Sequence, residues 1–507
     1  MKTEEPRDAP PVLIEEGELG RPVAVERRWQ LGGIRERSSY RWWVLFTVLS
    51  GLFATGLTIT VLTTAVPFIR ADFGSSLGAV AWVVSAPFLF RSIFVPAFGR
   101  ASDRLGRRRV WLAGFGASTV FSLLCGFAPN VGLLIAFRAL AAVAGAAVVP
   151  SSLALIADAF DPEERVKAFG WWSATIAVSP LLGVIVGGFV VEGLGWRWLF
   201  FAQFPFGIVA WLLGVVVLHE SRGDASGPVD VKGSVLSIVG LGALMLVFNR
   251  GPVGSWSWSS PALLVSAAGA LGALTAFVVV ELRSPAPVLP IGYFRRRRFA
   301  GAVSANFCAN FAYMGGFFIT SLMLAEPGLF GYRADQVALA VSPRAASLGL
   351  MGPIGGYVAA AYGSRRAAVS GMGLIVVSML ALARLDGGSA YLEVLPGLVL
   401  SGFGLGLVGP PTAAAVTNEA DSGDLAAASG ALNMGASIGS SLGIASMQAV
   451  LLAAAGNGEP GAGAYSAAFL FGAVMSAFGL FAAWGLGPKD GAEPRRRSRG
   501  RGIVGQE

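Results

Sequence analysis

Long apolar runs alternate with short polar segments along the chain from residue 42 to residue 486. Fourteen of these runs approach the ~20 residues that a helix needs to cross ~30 Å of hydrocarbon. We therefore predict an all-α integral membrane protein with fourteen transmembrane helices, of which 233–248 is the shortest. The predicted spans are 42–66, 79–98, 110–128, 131–156, 168–191, 198–218, 233–248, 261–281, 299–323, 337–360, 367–385, 391–416, 426–453 and 465–486.

An internal repeat divides these spans into two sets of six. The segment "GRASDRLGRRR" at 99–109 recurs in weakened form as "GYVAAAYGSRR" at 356–366, with Ala360 in place of Asp103. Each copy follows the second span of its set, and repeated six-helix halves are typical of rocker-type transporters. The predicted division is a polar N-terminal tail at 1–41, a six-helix bundle at 42–218, two inserted helices with flanking loops at 219–298, a pseudo-symmetric six-helix bundle at 299–486 and a basic tail at 487–507.

Composition supports a membrane location. The chain is 54% hydrophobic and only 13% charged, and its 69 glycines and 27 prolines suit packed and kinked membrane helices. The two cysteines, Cys125 and Cys308, both lie in apolar runs. We therefore interpret them as packing residues and expect no disulfide framework.

The distribution of Lys and Arg predicts the orientation. The two tails and the even-numbered loops contain 30 of the 38 Lys and Arg residues, which places both termini in the cytoplasm and the protein in the cell membrane. The basic runs at 295–298 and 495–501 lie at a span end and in a tail, where topology and anionic lipids explain them. We therefore expect membrane lipids, and no nucleic acid, as partners.

The residue types argue against an enzyme. The single histidine, His219, lies at the end of a span, and neither a metal-ligand spacing nor a nucleotide-binding loop is visible. We expect no cofactor and no metal. A receptor or a scaffold has no need of the repeated halves, whereas a transporter explains them.

Several ordered motifs resemble the major facilitator superfamily, and the resemblance extends over the chain outside its tails. "GRASDRLGRRR" at 99–109 resembles the family's loop between spans 2 and 3, and "RALAAVAGAAVVP" at 138–150 resembles its span-4 motif. "SPLLGVIVGG" at 179–188 resembles the exporter motif of span 5. Together with the fourteen spans, "WRWLFFAQFPFG" at 196–207 and "PVLPIGYFRRRRF" at 287–299 are similar to the drug:proton antiporter branch.

The 99–109 loop is the first candidate for a conformational switch. Gly99 and Gly106 permit close helix approach and a tight turn. The resemblance implies that Asp103 meets the N-terminus of span 13 near residues 425–429, and that Arg107 pairs with Asp158 at the end of span 4. The alternative is that the charges of the loop serve only as topology determinants.

Span 5 contains a second candidate element. Gly183, Gly187 and Gly188 have the spacing of close helix contacts, and Pro180 removes a helical hydrogen bond. By resemblance this is the exporter motif, although Val184 stands where the family often has a second proline. Simple close packing is an equally good and compatible explanation.

Three arginines, Arg91, Arg138 and Arg344, fall within predicted spans. Each costs about 2.5–3.5 kcal/mol at a helix centre on insertion scales, so each is expected to face a cavity or a partner, unless it snorkels to an interface. The resemblance implies that Arg138 takes part in proton handling and gating. Because no carboxylate lies at a span centre, we predict an anionic or neutral substrate that contacts Arg91.

The first span departs from the antiporter pattern. Thr58 and Thr63 stand where these antiporters commonly have an acid and an asparagine, and a threonine cannot exchange a proton at accessible pH. Transport should depend weakly on the pH gradient unless Glu326 or another acid substitutes.

A polar stripe on span 9 is a candidate wall of the transport path. Asn306, Asn310 and Tyr313 recur at helical spacing on one face of this span. Such side chains also join membrane helices to one another, and that explanation is equally good.

These observations predict a secondary active transporter that is a monomer and that exports amphipathic small molecules by alternating access with a proton link. The alternative is an importer or uniporter of an anionic or neutral metabolite, because the usual coupling acid is missing.

Overall fold

The computed structural model describes residues 39–160, 162–222, 231–250, 259–284, 289, 291–420, 425–456 and 458–487. Most of the two predicted tails, residues 1–38 and 488–507, lies outside this part. Within the described ranges the regular structure is helical, without strands. The helices are α1 (Tyr40–Phe73), α2 (Leu77–Leu105), α3 (Arg107–Gly126), α4 (Val131–Gly145), α5 (Val148–Ala159), α6 (Pro162–Leu194), α7 (Trp198–Val217), α8 (Val231–Arg250), α9 (Pro261–Arg283), α10 (Arg297–Ala325), α11 (Ala334–Tyr362), α12 (Ser364–Leu382), α13 (Tyr391–Glu419), α14 (Leu425–Ala455) and α15 (Ala462–Trp484).

Every predicted span coincides with one of these helices, except that span 4 comprises α4 and α5. In the described part, 12 helical segments are long and apolar enough to cross a membrane, with α4 and α5 counted as one. The apolar parts of α6 and α8 are shorter, Val178–Leu194 and Lys232–Phe248. The part that the structure describes is therefore helical, as in a multi-pass membrane protein, and the count of fourteen crossings stays a prediction.

Span 4 is interrupted where a single helix was expected. Ala146 and Ala147 form a turn between α4 and α5. Pro150 has no N–H to donate to the Ala146 carbonyl, and its ring crowds that carbonyl. The proline therefore explains the break between the two helices.

The helices pack in two groups. α1 to α7 form the first helix group, in which α6 and α7 pack on α1 and α4 packs on α2 and α3. α10 to α15 form the second helix group, in which α14 packs on α10 and α13 packs on α11 and α12. α8 and α9 pack on each other, and α8 also contacts α2 and α14.

The repeated loop has the same backbone geometry in both groups. Gly106 and Gly363 have φ angles of +110° and +91°, in the region that favours glycine. The N–H of Gly106 donates to the Ser102 carbonyl at 3.1 Å, and that of Gly363 donates to the Ala359 carbonyl at 2.9 Å. In each copy one helix ends and the next begins at this glycine.

Two described contacts between the helix groups lie away from the repeated loops. We call the side with the start of α1 and the 99–109 loop the motif face, and the opposite side the far face. Near the far face, Glu192 of α6 accepts from the Ala334 N–H at 3.2 Å, and Gly188 lies against α11. Nearer the middle, the Ser441 hydroxyl of α14 donates to the Ser85 carbonyl of α2 at 2.8 Å.

Candidate functional site

A central cavity of about 260 Å³ lies between the two helix groups. The first group contributes residues from α1, α2 and α6, and the second group contributes residues from α10, α11 and α13. Four of the predicted site residues, Arg91, Pro180, Asn310 and Tyr313, converge on it. The wall consists of Leu52, Thr55, Gly56, Arg91, Ile176, Ser179, Pro180, Asn310, Tyr313, Met314, Phe317, Ala345, Leu348 and Leu405.

A second, smaller cavity of about 70 Å³ lies within the first helix group. We call it the polar cavity, because two arginines, Arg91 and Arg138, line it together with the neutral polar side chains of α3 and α7. Arg91 and Thr55 line both cavities. The polar cavity therefore adjoins the central cavity at these two residues.

The neutral polar groups of the polar cavity donate to one another or to the backbone. Ser122 donates to Gln203 Oε1 at 2.9 Å, and Gln203 Nε2 donates to the Ala54 carbonyl at 2.7 Å. Ser118 donates to the Ala141 carbonyl at 2.9 Å. We had not predicted a role for Gln203, although it is a conspicuous polar residue in the otherwise apolar span 6.

The two arginines of the polar cavity have few acceptors in the part of the protein that the structure describes. Arg138 is buried and donates from Nε to the Val83 carbonyl at 3.4 Å, which is a long hydrogen bond. Arg91 is partly buried. Among the described residues that line the two cavities, none is an aspartate or a glutamate. The described walls of this site are therefore positive and supply no carboxylate counter-charge.

The third interior arginine lies behind the wall of the central cavity. Arg344 is fully buried, and its Nη2 donates to the Tyr313 carbonyl at 2.6 Å. Its guanidinium carbon lies 4.5 Å from the centre of the Tyr313 ring, at a cation–π distance. Arg344 therefore supports Tyr313 from outside the cavity.

We expect Arg344→Ala to lower the melting midpoint of the purified protein by more than Arg344→Met does. Alanine leaves a void beside Tyr313, whereas methionine fills much of the arginine's volume. Methionine also removes Nε and Nη1, which have no hydrogen-bond partner in the described part. Thermal unfolding in detergent measures the difference, and a larger loss with methionine would show that the charge itself holds this region together.

The other polar candidates lie in different surroundings. Asn306 is buried and donates to the Leu432 carbonyl of α14 at 3.2 Å, so it joins two helices. Asn310 donates back to the Asn306 carbonyl at 2.8 Å while lining the central cavity. Thr63 is buried in α1. The side chain of Thr58 lies outside the described part.

The motif loop places Arg107 between two carboxylates. Its Nε and Nη2 donate to Asp103 Oδ1 at 3.1 and 3.0 Å, and its Nη1 donates to Asp158 Oδ1. Ser221, in the segment that follows α7, donates to Asp158 Oδ2 at 2.5 Å and accepts from the Arg107 N–H at 2.9 Å. The Asp103–Arg107–Asp158 network therefore joins the end of α2, the start of α3 and the end of α5, and Ser221 adds the segment after α7. The predicted contact of Asp103 with the start of span 13 involves side chains up to residue 427 that lie outside the described part.

Glu220, in the segment after α7, lies against Gly106. Its Oε1 accepts from the Arg108 N–H at 3.2 Å, and its Oε2 lies 3.5 Å from Arg109 Nε. A Cβ at Gly106 would meet this carboxylate, which is the movable end of a side chain, so the φ of +110° remains the main reason for glycine there. The role of Glu220 was not predicted, because only the fold brings the segment after span 6 to the loop after span 2.

The glycines of α6 allow close contacts on two sides. A Cβ at Gly183 would clash with the backbone of α1, and one at Gly187 would clash with the Val61 side chain. A Cβ at Gly188 would clash with Ala338 of α11. The first two glycines therefore pack α6 within its own group, and the third packs it against the other group. Gly99 has room for a Cβ 3.6 Å from the Cβ of Pro150.

Glu326 follows α10 at the far face. Burial raises the pKa of its carboxyl, and the charge of Glu459 acts in the same direction. Arg70 and the hydroxyl of Tyr465, which donates to Oε2 at 3.4 Å, lower the pKa. The net shift is upward, so Glu326 takes up a proton at a higher pH than a free glutamate does.

Comparison with known proteins places this architecture in context. Multidrug transporter protein MdtP of Bacillus subtilis (strain 168) is 29% identical over 427 residues, which are 83% of this chain and 77% of that protein. Multidrug resistance protein Stp of Mycobacterium tuberculosis (strain CDC 1551 / Oshkosh) is 29% identical over 404 residues, 80% of this chain and 74% of that protein. These relatives are similar over most of their length.

A solved structure has the same fold. The crystal structure of a bacterial homologue of the human lysosomal transporter Spinster, in an inward-facing and unoccupied conformation, superposes with a TM-score of 0.62 at 15% identity. The superposition covers 89% of this chain and 98% of that one.

The family model of the Major Facilitator Superfamily matches residues 48–443, and a second match extends over residues 305–505. The first match alone includes both helix groups up to α14. A cavity between two helix groups with a repeated loop is also what a transporter of this family requires. The chain belongs to the major facilitator superfamily and is a transporter rather than an enzyme.

Proposed function

We propose that this protein exports amphipathic small molecules from the cell. The observation that supports this proposal most is the largely apolar cavity between the two helix groups, with Arg91, Asn310 and Tyr313 in its wall. The names of two relatives, a multidrug transporter protein and a multidrug resistance protein, are consistent with a substrate of this kind. A drug-sized ligand typically needs a cavity of ~300–1,000 Å³. At about 260 Å³, the central cavity is suited to a small substrate, or it opens further during the transport cycle.

The proposed topology has fourteen crossings in the cell membrane and both termini in the cytoplasm. Two six-helix bundles, 42–218 and 299–486, form the halves of a monomer, and α8 and α9 are the inserted pair. The excess of Lys and Arg in the tails and the motif-face loops supports this orientation. The motif face is then cytoplasmic.

Alternating access would use the two contact regions already described. Near the far face, α6 meets α11 at Gly188 and Glu192, and these contacts keep that side closed. At the motif face, the Asp103–Arg107–Asp158 network fixes the ends of three helices as one unit. We propose that the far-face contacts between α6 and α11 break while the two helix groups close together at the motif face. The central cavity then opens to the far face instead of the motif face.

Drug accumulation in cells tests the export proposal. Cells that lack their own efflux pumps should retain less of an amphipathic compound when they express this protein than when they contain an empty vector. A panel of anionic, neutral and cationic amphiphiles should be measured, because the relatives' names do not identify one substrate. Equal retention of the whole panel, with the protein present in the membrane, would argue against export.

We further propose that export is proton-linked through Glu326, in place of the acid missing at Thr58. The pKa of Glu326 is raised by burial, so its protonation begins nearer neutral pH and is lost as the pH rises. Collapsing the pH gradient should therefore slow export by the wild type and have little effect on Glu326→Gln.

Glu393→Gln is the matched control, because Glu393 is exposed and lies, like Glu326, at the far face, in the first turn of α13. It should respond to the gradient as the wild type does. A steep response that persists in Glu326→Gln would place the proton path elsewhere, and a weak response in the wild type would remove the proton link.

A further inference from the structure

We propose that the polar cavity and the central cavity form one two-part binding site for an amphipathic anion. The acidic head lies between Arg91 and Arg138, and the apolar body extends into the central cavity toward Tyr313 and Phe317. This inference rests on the proposed export function and specifies the chemical class of the substrate and its orientation.

The charge of the site favours an anion. Two guanidinium groups line the polar cavity, and among the described residues of both cavities none supplies a carboxylate. Among the described residues, Arg138 makes one long hydrogen bond, to the Val83 carbonyl, so this part of the chain leaves most of its donors without a close acceptor. A buried charge without a partner is unfavourable, and an anionic head would supply both the opposite charge and the acceptors.

The neutral side chains around the arginines do not compete for this role. The hydroxyls of Ser118 and Ser122 and the amide of Gln203 already donate to other groups. The donors that remain for a ligand are therefore mainly those of Arg91 and Arg138. A cationic head would meet two positive charges here, and the described lining residues include no acidic group to offset them.

The sizes of the two cavities indicate which part of the ligand each one holds. The polar cavity, about 70 Å³, has room for a carboxylate or sulfonate but not for a ring system. The central cavity is larger, about 260 Å³, and is lined mostly by apolar side chains such as Met314, Phe317 and Leu348. Arg91 lies at the junction, because it lines both cavities. The head and body of an amphiphile can thus occupy adjoining spaces of matching polarity.

Equilibrium binding to the full-length protein in lipid nanodiscs tests this arrangement. The probe is radiolabelled decanesulfonate, a permanent anion, and empty nanodiscs of the same lipid give the background. Decanol and decyltrimethylammonium are competitors with the same chain and a neutral or cationic head. Methanesulfonate and sodium chloride test an anion without the apolar body.

We expect saturable decanesulfonate binding that Arg91→Gln weakens by about tenfold or more, as loss of a charge-assisted contact implies. Arg91→Lys should retain part of the affinity, and Arg138→Gln should lose affinity as Arg91→Gln does. Arg384→Gln, which removes an exposed arginine at the far face, should bind like the wild type. Methanesulfonate and chloride should compete only at far higher concentrations than decanesulfonate.

The inference fails if decyltrimethylammonium competes as well as unlabelled decanesulfonate, a comparison that needs no variant and so does not depend on variant folding. It also fails if folded Arg91→Gln binds normally, or if chloride displaces the probe as effectively as the long-chain anion, which would indicate a simple anion site. Because binding can be measured without transport, a failure of this inference can be distinguished from a failure of the export proposal, which the cellular assay tests.

Discussion

Asp103→Asn is expected to abolish most transport while leaving membrane insertion unchanged. Asp103 accepts two hydrogen bonds from Arg107, and Arg107 also pairs with Asp158. The substitution removes the charge of one of these two carboxylates. Asparagine keeps the size of the side chain and can still accept a hydrogen bond, but it cannot balance the guanidinium. We therefore expect the motif face to lose its preference between conformations rather than its fold.

The variant should be compared with Asp386→Asn, which changes a carboxylate in the loop after α12 at the far face. Both proteins should reach the membrane in wild-type amounts, and only Asp103→Asn should lose transport. Wild-type rates in Asp103→Asn would mean that the charges of this loop determine topology and nothing more.

Gly188→Val should also abolish transport, for a steric reason. The added side chain would collide with Ala338, and the adjacent backbone at Ala334 leaves it no space. α6 and α11 could then no longer approach each other near the far face. Gly193→Val is the matched control, because a Cβ at Gly193, five residues later in the same helix, meets nothing within 4 Å.

Spin labels at Ser75→Cys and Gly387→Cys, in far-face loops of the two groups, would report this separation. The background should lack Cys125 and Cys308, which are buried. We expect a longer distance in Gly188→Val than in Gly193→Val. Equal distances with normal transport would show that this contact is not needed to close the far face.

The sequence predicted most helices because their signal is local. A run of apolar residues long enough to cross a bilayer is visible without knowledge of its neighbours. The break between α4 and α5 also had a local signal, because Pro150 has no N–H to donate to the Ala146 carbonyl. The repeated glycine at 106 and 363 was recognised from its motif, and both copies have positive φ.

The missing parts of the site depend on contacts between distant segments. Glu220 reaches the 99–109 loop from beyond α7, and Gln203 meets Ser122 across two helices. Neither pairing has a sequence period or a motif that would reveal it. The convergence of Arg91 and Arg138 on one cavity is of the same kind, since the sequence marked each arginine as buried but did not show that they share a wall.

The central claim is that this chain alone moves amphipathic solutes between two aqueous compartments, and solute flux in liposomes tests it most directly. Purified protein should be reconstituted, and uptake of radiolabelled decanesulfonate, ethidium and a neutral amphiphile measured beside protein-free liposomes and Asp103→Asn. We predict protein-dependent flux of at least one amphiphile that saturates with concentration and is largely lost in Asp103→Asn. Flux equal to that of protein-free liposomes for every probe, from correctly folded protein, would contradict the account.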